Sequence, residues 1–80
     1  MIVYLTKREV TLRTGLSDKK LDELVQSGLF PRSIPTTGNH RFWSLYEIEI
    51  IATARSKGAL PQEVHDLVRA LEQARGFAPL

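Results

Sequence analysis

Cysteine is absent from this 80-residue chain. That excludes disulfides, thiolate chemistry and cysteine-ligated zinc, and it fits a chain that folds without staples in a reducing cytosol. Long hydrophobic runs are absent too. Nothing approaches the roughly 20 apolar residues of a membrane span, and the opening Met1 to Leu5 is too short for a signal peptide. The expectation is a soluble, cytoplasmic protein with no membrane partner. Neither sign of charge dominates, the net being only +2. Catalytic constellations are missing as well. There is no nucleophile with a neighbouring base, no glycine loop to cradle phosphate, and no second histidine or acid at ligand spacing from His65. The reading is therefore a non-enzyme without cofactor or metal, because a chain this short encloses a substrate poorly.

What remains is an ordinary globular composition, 42% hydrophobic and 25% charged, which argues against wholesale disorder. Eighty residues leave room for one core, so a single domain over 1–76 with a short tail at 77–80 is expected. The charge is unevenly spread. Residues 1–43 hold seven Lys/Arg against four acids, whereas the remainder holds four against five. The basic surplus therefore lies on the N-terminal half, as it would if that half faced phosphate.

Three helix starts share one construction. Thr6 with Glu9 makes a capping box, and Leu5 is spaced to pack on Val10 as a hydrophobic staple, which predicts a helix from about Lys7 to Arg13. A turn through Thr14, Gly15 and Leu16 leads to Ser17 as the cap of a second helix with Leu21, Leu24 and Val25 on its apolar face. Gly28 ends it. Ser44 with Glu47 repeats the capping box for a third helix, with Trp43 and Ile48 at the staple positions. This makes Trp43 a core residue rather than a base-stacking platform. A fourth helix opens at Pro61 and buries Val64, Leu67, Val68 and Leu71. Between the second and third helices Pro31 and Pro35 forbid helix, and residues 36–40 carry turn chemistry between two short strands, a small β-hairpin or wing. The fold class expected is mainly α with a β-hairpin wing, a winged helix-turn-helix in the order helix, helix, wing, helix, helix.

Glu9 and Val10, the run from Thr14 to Ser17, Leu21, the run from Gly28 to Pro31, Gly38, and the run from Arg41 to Ser44 together resemble the MerR-like winged helix-turn-helix superfamily. The nearest branch is the small phage and prophage group of AlpA-type regulators and excisionases. The resemblance spans nearly the whole chain, since the helical pair joined by Lys57 to Pro61 also looks like the second pair of MerR domains. It implies a double-stranded DNA partner, with the second helix in the major groove and the wing on the backbone. By position Ser17, Lys19 and Lys20 stand at the start of the recognition helix, and Arg41 stands at the wing arginine. The wing residues Thr37, Asn39 and His40, with Arg32 at its base, are further candidate contacts.

Asp22 and Glu23 occupy positions where MerR regulators commonly carry Arg and Tyr. An acid there either accepts from cytosine N4 or serves a protein partner. Lys19 and Lys20 by themselves fit a solvated helix face, and Arg41 can cover apolar surface with its stem. The turn and wing context favours DNA contact for all three. Lys7, Arg8 and Arg32 read first as solubilising surface. The chain ends where MerR proper continues into a dimerisation helix and effector domain, so no small-molecule effector is implied. A transcription regulator or excision factor, acting as dimers or by cooperative filling of adjacent sites, is the leading reading. The alternative is a protein-interaction module whose acidic second helix engages an integrase, RNA polymerase or another regulator.

Overall fold

A computed structural model describes residues 2–34 and 40–76. The expected turn residues Thr37 and Asn39 and the tail 77–80 lie outside the described residues. The elements run β1 (Tyr4–Thr6), α1 (Lys7–Thr14), α2 (Asp18–Gln26), β2 (Phe42–Ser44), α3 (Leu45–Ser56) and α4 (Pro61–Gly76). The described residues are thus mainly helical, with one two-stranded antiparallel sheet among them. Among the described residues, no helix is long and apolar enough to cross a membrane.

The helix ends follow the local chemistry. The Glu9 backbone N–H donates to Thr6 Oγ1 at 3.2 Å while the Thr6 backbone N–H donates to Glu9 Oε1 at 3.0 Å, completing the capping box. At α2 the Lys20 N–H donates to Ser17 Oγ at 3.1 Å. The α2 end is a Schellman turn. Leu29 N–H donates to Leu24 O, Gly28 N–H donates to Val25 O, and Gly28 sits at φ 78°. A Cβ at Gly28 would also lie 2.7 Å from His65 Cδ2, so glycine is required there for both backbone and space.

The sheet departs from expectation. The sequence predicts two strands flanking the 36–40 turn, but the regular partner of β2 is β1, in the register Tyr4 opposite Ser44, Leu5 opposite Trp43 and Thr6 opposite Phe42. Among the described residues the arm before the turn contributes a single bridge, Ile34 to Phe42, with Ile34 N–H donating to Phe42 O at 2.7 Å. Proline accounts for this: Pro31 and Pro35 have no N–H to give and bracket only three residues that do. Leu5, by contrast, pairs with Trp43 on the inner face, and both are buried.

The start of α3 also differs. Ser44 makes no side-chain cap bond. Glu47, expected to reach back to it, is buried and held by Arg75 of α4, with Nε to Oε2 and a second guanidinium N–H to Oε1 both at 2.9 Å. A buried carboxylate needs a cation more than a helix start needs a second cap. The first N–H of α3, that of Leu45, donates instead to Val3 O at 2.9 Å.

One core joins all six elements. It runs through Leu5, Val10, Leu21, Leu24, Phe30, Trp43, Ile48, Ile51, Val64 and Val68. Trp43 is fully buried, and its indole N–H donates to Pro31 O at 2.8 Å, which satisfies the ring's polar atom and pins the segment after α2 against β2.

Candidate nucleic-acid interface

The β1–β2 register brings together cations that are far apart in sequence. With Thr6 opposite Phe42, the first turn of α1 lies beside the residues that lead into β2. Thr6, Lys7, Arg8, His40, Arg41 and Phe42 line a surface groove of about 310 Å³. The rings of His40 and Phe42 lean on each other with centroids 6.2 Å apart.

Asp22 closes this arrangement from α2. Its Oδ1 accepts from Lys7 Nζ at 2.9 Å and from Arg41 at 3.3 Å, and its Oδ2 accepts from Lys7 at 3.1 Å. The hydrogen bond from Lys7, with a further one from Arg41 and the charge of both, holds the Asp22 carboxyl below its ordinary pKa. Both oxygens are therefore occupied in the free protein, and the acid neutralises cations rather than standing open for a base. The Arg41 guanidinium also lies over Trp43, 5.0 Å from the ring centroid. Arg41 thus covers apolar surface, one of the two readings considered for it, while its charge stays partly exposed.

The other expected site residues are dispersed. Ser17 is committed to capping α2, while Lys19, Lys20 and Glu23 are exposed on that helix. Arg32 belongs to a different contact: its backbone N–H donates to Glu72 Oε2 at 2.8 Å, its Nε reaches the same oxygen at 3.4 Å, and its carbonyl accepts from Arg75 at 2.7 Å. It is tied to α4 on the side of the buried Glu47. Lys7 and Arg8, read first as solubilising surface, enter the groove instead. No local signal announces them, because their neighbours His40 and Arg41 are supplied by a strand pairing across some thirty residues.

Chemically, the groove offers fixed cations at a surface, with a histidine and an aromatic ring at its rim, which suits a polyanionic backbone. Among the described residues, no group of three or more His, Cys, Asp or Glu is placed to hold a metal ion. No family model, no curated protein and no solved structure matches this chain.

Proposed function

We propose that the protein binds double-stranded DNA and reads its sequence, as a transcription regulator or excision factor of a phage or other mobile element. In this reading α1 and α2 are a helix-turn-helix, α2 enters the major groove, and the segment ending at Arg41 is a wing on the backbone. The observation that carries it is the Lys7–Asp22–Arg41 clamp. It joins the start of α1, the outer face of α2 and the approach to β2 on one surface, with Arg8 and His40 alongside. Support also comes from the exposed Lys19 and Lys20 on α2 and from the resemblance to the MerR-like winged helix-turn-helix group.

The mechanism is noncovalent. Lys7, Arg8 and Arg41 exchange the Asp22 carboxylate and solvent ions for phosphates, giving affinity that falls with salt, and side chains of α2 discriminate bases. Among the α2 side chains, Lys19, Lys20 and Glu23 do the reading, Glu23 being an acid left able to accept from cytosine N4. The rival reading, an acidic second helix that docks on an integrase or polymerase, is weakened because Asp22 is occupied within the chain, leaving Asp18 and Glu23.

The test is selection from a random duplex library followed by salt titration of the best sequence. A defined motif whose binding weakens steeply with salt supports the proposal. Absence of both enrichment and salt-dependent binding returns the function to the protein-interaction reading.

A further inference from the structure

Helix α3 carries apolar residues on two sides, and among the described residues only one of those sides is covered. Its inner side packs Ile48 and Ile51 into the core, each 1% exposed. On its outer side Tyr46 is 69% exposed, and with Glu49, Ile50, Thr53, Ala54 and Lys57 it lines a shallow groove of about 540 Å³. A second groove continues past Tyr46 over Ile2, Val3 and Leu45. Residues 46, 50, 53 and 57 follow helical spacing, the pattern of a helix that meets another helix.

The charges on this face define the occupant. Glu49 and Lys57 lie four residues to either side of Thr53, and among the described residues neither makes an ion pair or side-chain hydrogen bond within the chain. We propose that this face is the contact between two copies of the chain, their α3 helices packed antiparallel about a two-fold axis at Thr53. Symmetry then brings Glu49 of each copy to Lys57 of the other, while Ile50 and Ala54 close the centre. A parallel packing would oppose Glu49 to Glu49, and so is disfavoured. None of the residues of this face lines the basic groove, so a dimer leaves that groove open. One 12-residue helix is about 18 Å long, so the contact is smaller than a standard stable interface. Association is therefore expected to be weak and reversible. It is independent of the DNA reading and is measured without DNA.

Sedimentation equilibrium of the full chain from about 1 µM to about 1 mM is expected to show a reversible monomer–dimer equilibrium. Glu49→Lys or Lys57→Glu each turns two attractive pairs into repulsive ones and weakens the dimer about tenfold. Combining both restores it. Because the chain has no cysteine, Thr53→Cys supplies a single thiol at the axis and is expected to oxidise to a disulfide-linked dimer faster than Ala70→Cys on the exposed side of α4. Circular dichroism checks each variant for the native helix content. A wild type that stays monomeric throughout, a dimer indifferent to the charge reversals, or cross-linking at position 53 no faster than at position 70 would each overturn the proposal.

Discussion

Two ion networks flank the segment between α2 and β2, and they differ in burial far more than in chemistry. On the α4 side Arg75 grips Glu47 with two bonds and spends a further N–H on Arg32 O; the two side chains are 20% and 7% exposed. On the α1 side Lys7 and Arg41 share Asp22, with side chains 26%, 40% and 44% exposed. A buried carboxylate with a single cation has no alternative partner, so that network fixes the fold. An exposed carboxylate between two cations competes with water, salt and phosphate, so that network is open to exchange. One segment is therefore held rigidly at its base and loosely at the edge proposed to meet DNA.

The contrast breaks most visibly at Arg75. Arg75→Ala leaves Glu47 buried without a cation and Arg32 O without a donor, and is expected to cost about 3 kcal/mol in urea unfolding. That is a large share of the 5–15 kcal/mol typical of a domain. A loss below about 1 kcal/mol would mean that Glu47 reaches water and that the two networks do not differ in kind.

The complementary variant is Arg41→Ala with Lys20→Ala. Both residues are exposed, so the fold is expected to persist, with a loss of about 1 kcal/mol from the contact of Arg41 with Trp43, the exposed pair with Asp22 adding little. Affinity for the selected duplex should fall about a hundredfold, as the loss of one base and one phosphate contact implies, and the salt slope should drop by about one. Retained affinity in this double variant removes the proposed docking.

How much of this was legible in the chain depended on how local the signal was. The capping box at Thr6 and Glu9, the cap at Ser17 and the glycine ends at Gly15 and Gly28 involve residues two to five apart, and all appear where sequence chemistry expects them. Glu47 misled because its spacing from Ser44 satisfies a capping rule, while its real partner lies 28 residues away. The same holds for Tyr4–Thr6. Three residues carry too little periodicity to announce a strand, and their partner β2 is a distant stretch that turn chemistry would pair with its own neighbour. Motif order singled out Arg41 and the α2 lysines; Arg41 lines the groove, whereas Lys19 and Lys20 are exposed on α2 away from it. The position of Lys7 against Asp22 was not, because a tertiary ion pair leaves no mark on spacing.

Asp22→Asn sharpens the contrast from the exposed side. It removes the carboxylate that phosphate must displace, without changing the volume of the side chain. Affinity for random duplex is expected to rise about fivefold, roughly the Coulomb energy of one unit charge at contact distance in water. The ratio of selected to random duplex should fall at the same time, because Lys7 and Arg41 lose the group that orients them. Measuring both duplexes at one salt concentration separates the two effects, and an unchanged ratio would count against Asp22 as an orienting residue.

Acid should undo the exposed network by the same route and by the smallest margin. The hydrogen bond from Lys7, and then that from Arg41, lower the Asp22 pKa, and the Thr6 backbone N–H followed by its hydroxyl lowers that of Glu9. A depressed carboxylate contributes stability that is fully present above its unfolded value, about 3.9 for Asp and 4.3 for Glu, and that is lost as pH falls through the lower folded value. Between pH 7 and about 5 neither group should make unfolding pH-dependent. Below about 4, protonation releases Lys7 and Arg41 and opens the capping box of α1. Carbon-detected titration of the Asp22 carboxyl should give a midpoint below that of a free aspartate, and in Lys7→Ala the midpoint should move back up, because the strongest hydrogen bond to the carboxylate is gone. A midpoint at or above the ordinary value in the wild type would mean that the clamp does not persist in solution, and the proposed exchange with phosphate would lose its starting state.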